Sequence, residues 1–146
     1  ESRINLNGKD FLFAVDKSRH LMFLYQVKSE NSCPGEYELV RIFPVSNGRK
    51  YKETPSGLFK LSHKEKAFLR FKDYRMGKYA YNLIDANSNE IWSEYKIHGT
   101  NEPNLIGNGN HSHGCVRLFD SDIIKLTENN YLKKGTIVLI TDRLNF

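Results

Sequence analysis

The sequence predicts a mainly β domain with short helices, and three observations carry that expectation. Its apolar runs are strand-length, rich in aromatic and β-branched residues, and bounded by turn-forming residues. Neither a long internal repeat nor a βαβ alternation of strands and helices is present. Apolar residues recur at clear helical spacing in one place only, over 120–132. At 146 residues the chain suffices for one hydrophobic core and is short for two. A single domain over 1–146, with its core at about 10–142, is therefore expected.

The elements follow in order. "FLFAV" (11–15) and "HLMFLYQV" (20–27), with "DKSR" between them, read as a β-hairpin. "YELVRIFPVS" (37–46) reads as a third strand, with Leu39, Arg41 and Phe43 alternating against Val40 and Ile42, and with Pro44 weakening its far end. A loop over 47–57 closes in a turn at Pro55–Gly57, after which "LFKLSH" (58–63) resumes as strand. "KEKAFLRFKDYRMGKYAY" (64–81) interleaves six Lys or Arg with five aromatics and reads as a solvated helix or loop with its aromatics turned inward. "IWSEYKIHG" (91–99) is strand-like at its end, and "TNEPNLIGNGN" (100–110) is an irregular loop. "DSDIIKLTENNYL" (120–132) is the clear helix, with Asp120 as its expected N-cap. "KKGTIVLITD" (133–142) supplies a turn and a final strand.

Net charge is +5 and the pI about 9.2. A basic surface suits an anionic polymer, such as nucleic acid, an acidic membrane or bacterial wall material. The basic and aromatic stretch 64–81 has the composition of a single-strand nucleic-acid grip, but no RNA-binding motif accompanies it, so no nucleic-acid partner is expected. The apolar runs are far shorter than a membrane span, so no transmembrane segment is expected in this stretch of chain. It opens at Glu1 without a methionine, which reads as a mature or excised fragment.

The chemistry concentrates in "HSHGCVRL" (111–118). Four readings of Cys115 are open. As inert packing it fits poorly, because His111, His113 and Arg117 would be costly to bury unpaired. As a metal ligand it would join His111 and His113 on one side of an extended strand, with His98 as a fourth donor, though the spacing matches no familiar zinc pattern. As half of a disulfide it would need Cys33 nearby, which leaves the histidines without a purpose. As a nucleophile it accounts for the most residues. An imidazole or positive field favours the thiolate of a group whose ordinary pKa is about 8.5. His98 lies 17 residues upstream, across a loop that can fold back, as a candidate base. Gly114 permits close approach to the backbone, and the amides of 113–115 can serve as an oxyanion site. The base also needs a group to fix its tautomer, and a backbone carbonyl is the natural candidate.

"IHGTNEPNLIGNGNHSHGCVRL" closely resembles the signature of the L,D-transpeptidase catalytic domain family (the YkuD type), in its Ser-His-Gly-Cys-x-Arg subgroup. "FLFAVDKSRHLMFLYQV", "FPVSNGRKYKETPSGLFKL" and "KKGTIVLITD" fall in the family's order, so the resemblance covers nearly the whole chain. It implies a β-sandwich-like fold with the cysteine on a loop beside the sheets. It also implies acyl transfer on peptidoglycan stem peptides outside the cytoplasm of a bacterium, in the periplasm or its equivalent, without a cofactor or metal. By carry-over Cys115 is the nucleophile, which attacks the third-residue carbonyl of a tetrapeptide stem, releases D-alanine and passes the acyl group to an amine. His98 is the general base and acid, and the Gly99 carbonyl orients it. His113 and Gly114 belong to the oxyanion site, and Ser112 and Arg117 face substrate.

Many members carry Asn where this chain has Arg117. Two readings of that arginine stand equal: a bidentate grip on a stem carboxylate, or a salt bridge to Asp120 or Asp122. His111 falls outside the motif and reads as an exposed loop residue, while Thr54, Pro55 and Gly57 match an architectural "TP-x-G" turn. Segment 64–81 falls where members differ and has the composition of a lid. The rival expectations are an L,D-carboxypeptidase using the same residues, a non-catalytic peptidoglycan-binding module, and a zinc-dependent hydrolase.

Overall fold

The structure is a computed structural model and describes residues 11–29, 36–48, 53–65, 77–100, 102–107, 110–112 and 114–144. Cys33, His113 and most of the segment 64–81 (66–76) lie outside the described residues.

Among the described residues there are nine strands: β1 Phe11–Asp16, β2 Leu21–Ser29, β3 Glu36–Gly48, β4 Gly57–Glu65, β5 Ala80–Asp85, β6 Lys96–His98, β7 Asn110–Ser112, β8 Val116–Leu118 and β9 Ile137–Thr141. The α-helix among the described residues, α1, spans Asp120–Glu128. The strand order is β2-β1-β9-β4-β5-β6-β8-β3-β7, and β3 also pairs with β2. That extra pairing closes eight strands on themselves and removes most open edges. Period-2 alternation sends Phe13 and Val15, Met22 and Leu24, and Val138 and Ile140 into one core cluster. The opposite walls of the closed sheet therefore pack on each other as the layers of a sandwich do, and the fold is mainly β and sandwich-like, as expected. No helix among the described residues is long and apolar enough to cross a membrane.

The β1–β2 hairpin forms with the expected turn, and Asp16 fastens it. The fully buried Asp16 carboxylate accepts hydrogen bonds from the Ser18 hydroxyl (2.8 Å), the Arg19 N–H (3.0 Å) and the Leu144 N–H (3.1 Å), and pairs with the Arg19 guanidinium at 3.0 Å.

Three expectations need correction. Pro44 does not weaken β3, which continues through Val45–Gly48. The Val45 N–H reaches His20 on the β2 side, so the Pro44 nitrogen faces the other edge, just past the point where β8 pairing stops at Val45. No ladder bond is lost there. Before Pro44 the strand projects as a ribbon with β2, so Leu39, Val40 and Ile42 are all exposed despite their alternation.

The segment 64–81 is not one helix or loop, because Lys64 and Glu65 end β4 while Ala80 and Tyr81 begin β5, paired with them. Tyr79 and Tyr81 do turn inward, and the Tyr81 hydroxyl bonds Thr127 (2.9 Å) and the Leu132 carbonyl (3.0 Å).

Finally, α1 is shorter than 120–132 and Asp120 is not its N-cap. Phe119 takes the cap position without a side-chain bond, and Asp120 Oδ1 accepts the Lys78 N–H at 2.8 Å. At the other end Asn130 has φ of +64°, which terminates the helix, and the Tyr131 and Leu132 N–H groups turn back to the Leu126 carbonyl.

Candidate active site

Register brings the polar residues together. β5 sets Ala80 opposite His98 and Asn82 opposite Lys96. β6 and β8 run parallel, with Ile97 beside Val116 and His98 beside Arg117, and β3 sets Ser46 opposite Arg117. Ile97 and Val116 point into the core, so their alternates, Lys96, His98 and Arg117, share the other face. Continued by one residue, the register places Cys115 beside Lys96, whose backbone N–H bonds the thiol. Four neighbouring strands thus present one polar face: Asn82, Lys96 and His98, with Cys115, Arg117 and Ser46.

His98 is buried at 3% exposure, and its Nδ1 is hydrogen-bonded to the Gly99 carbonyl oxygen. A carbonyl only accepts, so Nδ1 carries the hydrogen and Nε2 is the basic nitrogen of the neutral ring. Glycine is required at 99 by close packing: a Cβ there would lie against Asp120 Oδ1 and 2.9 Å from Ile123 Cγ2, at the start of α1. The helix N-terminus thereby braces the peptide that holds His98.

Cys115 is partly buried and in no disulfide among the described residues, and its thiol donates to the Glu94 carbonyl at 3.9 Å. Burial pushes the thiol above its ordinary range, the Lys96 backbone N–H and the Lys96 and Arg117 charges oppose this, and Glu94 adds to the rise. The net direction is upward, which favours the thiol over the thiolate at neutral pH. Gly114, immediately before it, has φ of +111°, a conformation that L side chains rarely adopt.

Arg117 makes no ion pair with Asp120 or Asp122 among the described residues. Its Nε is buried without a hydrogen-bond partner there. Asp120 is engaged with Lys78, and Asp122 feels Arg41 and Lys125. An unsatisfied buried donor costs roughly 1–3 kcal/mol, so the expected brace to Asp120 or Asp122 does not account for this arginine.

Among the described residues β7 ends at Ser112 and β8 begins at Val116, so His111 and Cys115 do not share one strand. His111 lies in strand β7 rather than in a loop, and β7 takes the edge of β3 that β2 vacates, while β8 occupies the other. The chain crosses between these edges around Gly114. The Ser112 backbone pairs with Gly48 in β7. Among the described residues no group of three His, Cys, Asp or Glu is placed to hold a metal.

Sequence reading missed three contributors. Lys96, 7% exposed, donates to Asn82 Oδ1 and to the Ser93 carbonyl (3.2 Å) and lies 5.3 Å from the Trp92 ring centroid. Its position two residues before His98, on the same strand face, is the signal that would have found it. Asn82 enters only through pairing across the sheet, and Thr54, read in the sequence as architectural, enters through its hydroxyl. The Thr54 hydroxyl accepts from the Gly48 N–H and donates to the Gly114 carbonyl, both at 2.8 Å.

A basic imidazole, a thiol and several hydrogen-bond donors on one face have the make-up of a site for nucleophilic acyl chemistry. Comparison with known proteins agrees. Residues 10–140 match the family described as the L,D-transpeptidase catalytic domain. A Bacillus licheniformis protein carrying the name L,D-transpeptidase YkuD is 30% identical over 103 residues, 70% of this chain and 54% of its own. The fold superposes on Bd1075 of Bdellovibrio bacteriovorus with a TM-score of 0.72 at 20% identity, over 98% of this chain and 51% of that one. It superposes on the LD transpeptidase LdtMt1, solved in complex with imipenem, with a TM-score of 0.65 at 20% identity, over 92% and 60% of the two chains. The chain thus spans about half the length of the curated relative it matches.

Proposed function

Since the chain belongs to the L,D-transpeptidase catalytic domain family, we propose that Cys115 is the nucleophile of an acyl transfer on peptidoglycan stem peptides, outside the bacterial cytoplasm. The Cys115 proton passes to His98 Nε2 as sulfur attacks the third-residue carbonyl carbon of a tetrapeptide stem. The carbonyl electron pair moves onto oxygen, where the amides of residues 113–115 stabilise it. Collapse breaks the C–N bond, and the departing D-alanine nitrogen takes the proton from His98. The thioester is then attacked by an amine of a second stem, with His98 accepting and returning a proton in the reverse order. Gly99 acts through its carbonyl, which keeps His98 Nε2 basic. Arg117 binds a substrate carboxylate, and Ser112 is the second substrate-binding residue.

One observation carries this reading: β6 sets His98 beside Arg117, two residues after Cys115, with the Lys96 N–H of the same strand bonding the thiol and His98 Nδ1 engaged by Gly99. The raised thiol pKa supports a mechanism in which deprotonation accompanies attack. The domain over 1–146 is read as the catalytic unit.

Mass spectrometry of tetrapeptide muropeptides incubated with the protein tests the proposal. Loss of D-alanine with accumulation of cross-linked dimer is expected, at least as fast as free tripeptide. Tripeptide as the sole product, even at high acceptor concentration, would replace transfer with L,D-carboxypeptidase trimming by the same residues. Bound but unchanged muropeptides would point to a non-catalytic module.

A further inference from the structure

We infer that Thr54 is a positioning residue for this chemistry: by holding the Gly114 carbonyl, its hydroxyl aims the Cys115 amide N–H at the oxyanion. The inference rests on the acyl-transfer reading above and deepens it.

Thr54 is buried at 1% exposure, between β3 and β4. The Gly48 N–H can only donate, so the hydroxyl oxygen must accept there; the Gly114 carbonyl can only accept, so the single hydroxyl proton must go to it. Both ends of the clamp are thereby fixed. The residue itself is anchored as well. Its carbonyl accepts from Lys17 Nζ at 2.6 Å, and Lys17 pairs with Asp142 at 3.1 Å.

The consequence follows from peptide geometry. In a planar trans peptide the C=O of one residue and the N–H of the next point in opposite directions. Fixing the Gly114 carbonyl on Thr54 therefore turns the Cys115 N–H away from Thr54. Gly114 needs outside restraint, because glycine has the greatest backbone freedom and its φ of +111° is only one of many accessible values. An oxyanion donor is effective when held in place before the reaction, so a clamp on this peptide acts on the rate of acylation and not on the thiol itself.

The test compares two reactions of Cys115. Acylation by imipenem passes through a tetrahedral oxyanion, whereas alkylation by iodoacetamide displaces iodide and forms none. Thr54→Val, nearly isosteric but without the hydroxyl, is expected to slow acylation about 10- to 100-fold. Its alkylation rate and the pH profile of alkylation should stay within about twofold of the parent. Thr54→Ser should restore the ratio of the two rates. Should Thr54→Val fail to fold, Thr54→Ala carries the same comparison. Equal slowing of both reactions, or no slowing of either, would overturn the inference while leaving the acyl-transfer reading intact. A parent protein that alkylates at Cys115 but never acylates would overturn that reading, and this inference with it.

Discussion

His98 and Gly99, adjacent in sequence, are joined by a hydrogen bond from the imidazole Nδ1 to the carbonyl oxygen. That contact leaves Nε2 as the basic nitrogen of the neutral ring, the base in the proposed mechanism, and it depends on a glycine against which α1 begins. Gly99→Ala should therefore act on His98 at one remove: its Cβ would press on Asp120 and Ile123 and turn the carbonyl. Acylation by imipenem is expected to fall about 10- to 100-fold in this variant and about 10²- to 10⁴-fold in His98→Ala. Stopped-flow rates check both, and an unchanged rate in His98→Ala would remove it as the base.

Lys96 bears on the thiol electrostatically. Burial raises the Cys115 pKa above 9.0, and the Lys96 ammonium works against that rise. Lys96→Met should move the pKa further up, so that alkylation by iodoacetamide reaches its plateau at higher pH and is slower at pH 7. A midpoint that stays put or moves down would show that the ammonium does not reach the sulfur.

Arg117 discriminates between grip and brace. With its Nε unpartnered among the described residues, Arg117→Gln should cost at most about 1 kcal/mol of stability. The same variant should raise KM for a carboxylate-bearing stem about tenfold, in line with the loss of a charge-assisted bond. A large fall in Tm with unchanged KM would restore the bracing role.

Asp16 lies far from the chemistry and sets acid stability. Burial alone would raise its pKa, but hydrogen bonds from Leu144, Ser18 and Arg19, with the Arg19 charge, hold it below 3.8. Its contribution is therefore complete above about pH 4 and is lost as pH falls through the depressed folded value. Asp16→Asn should destabilise the domain by about 3 kcal/mol at pH 7 and by progressively less below pH 4. Denaturant melts across that range check it; a constant difference would contradict the assignment.

Local signals made much of this legible in the sequence. Turn residues between aromatic and branched runs give the β1–β2 hairpin, and the apolar "TIVLI" run gives β9. His98, Gly99 and Cys115 stood out as a motif, and of its expected contacts the one from His98 Nδ1 to the Gly99 carbonyl is present. What escaped depends on contacts distant in sequence. β5 begins inside a basic, aromatic stretch whose local composition resembles a solvated surface, and only pairing with β4 and β6 makes it a strand. Pro44 is tolerated because of which edge its nitrogen faces, and this was unreadable before the sheet order was known. Asp120 has the composition of a cap, but the Lys78 amide, 42 residues upstream, takes its carboxylate.

The central claim is that Cys115 forms a covalent acyl-enzyme. Intact-mass analysis after exposure to imipenem, followed by peptide mapping, tests it most directly. The expected result is one imipenem equivalent per chain, located on the peptide containing Cys115 and absent in Cys115→Ser. An unmodified Cys115, or an adduct carried by another residue, would contradict it.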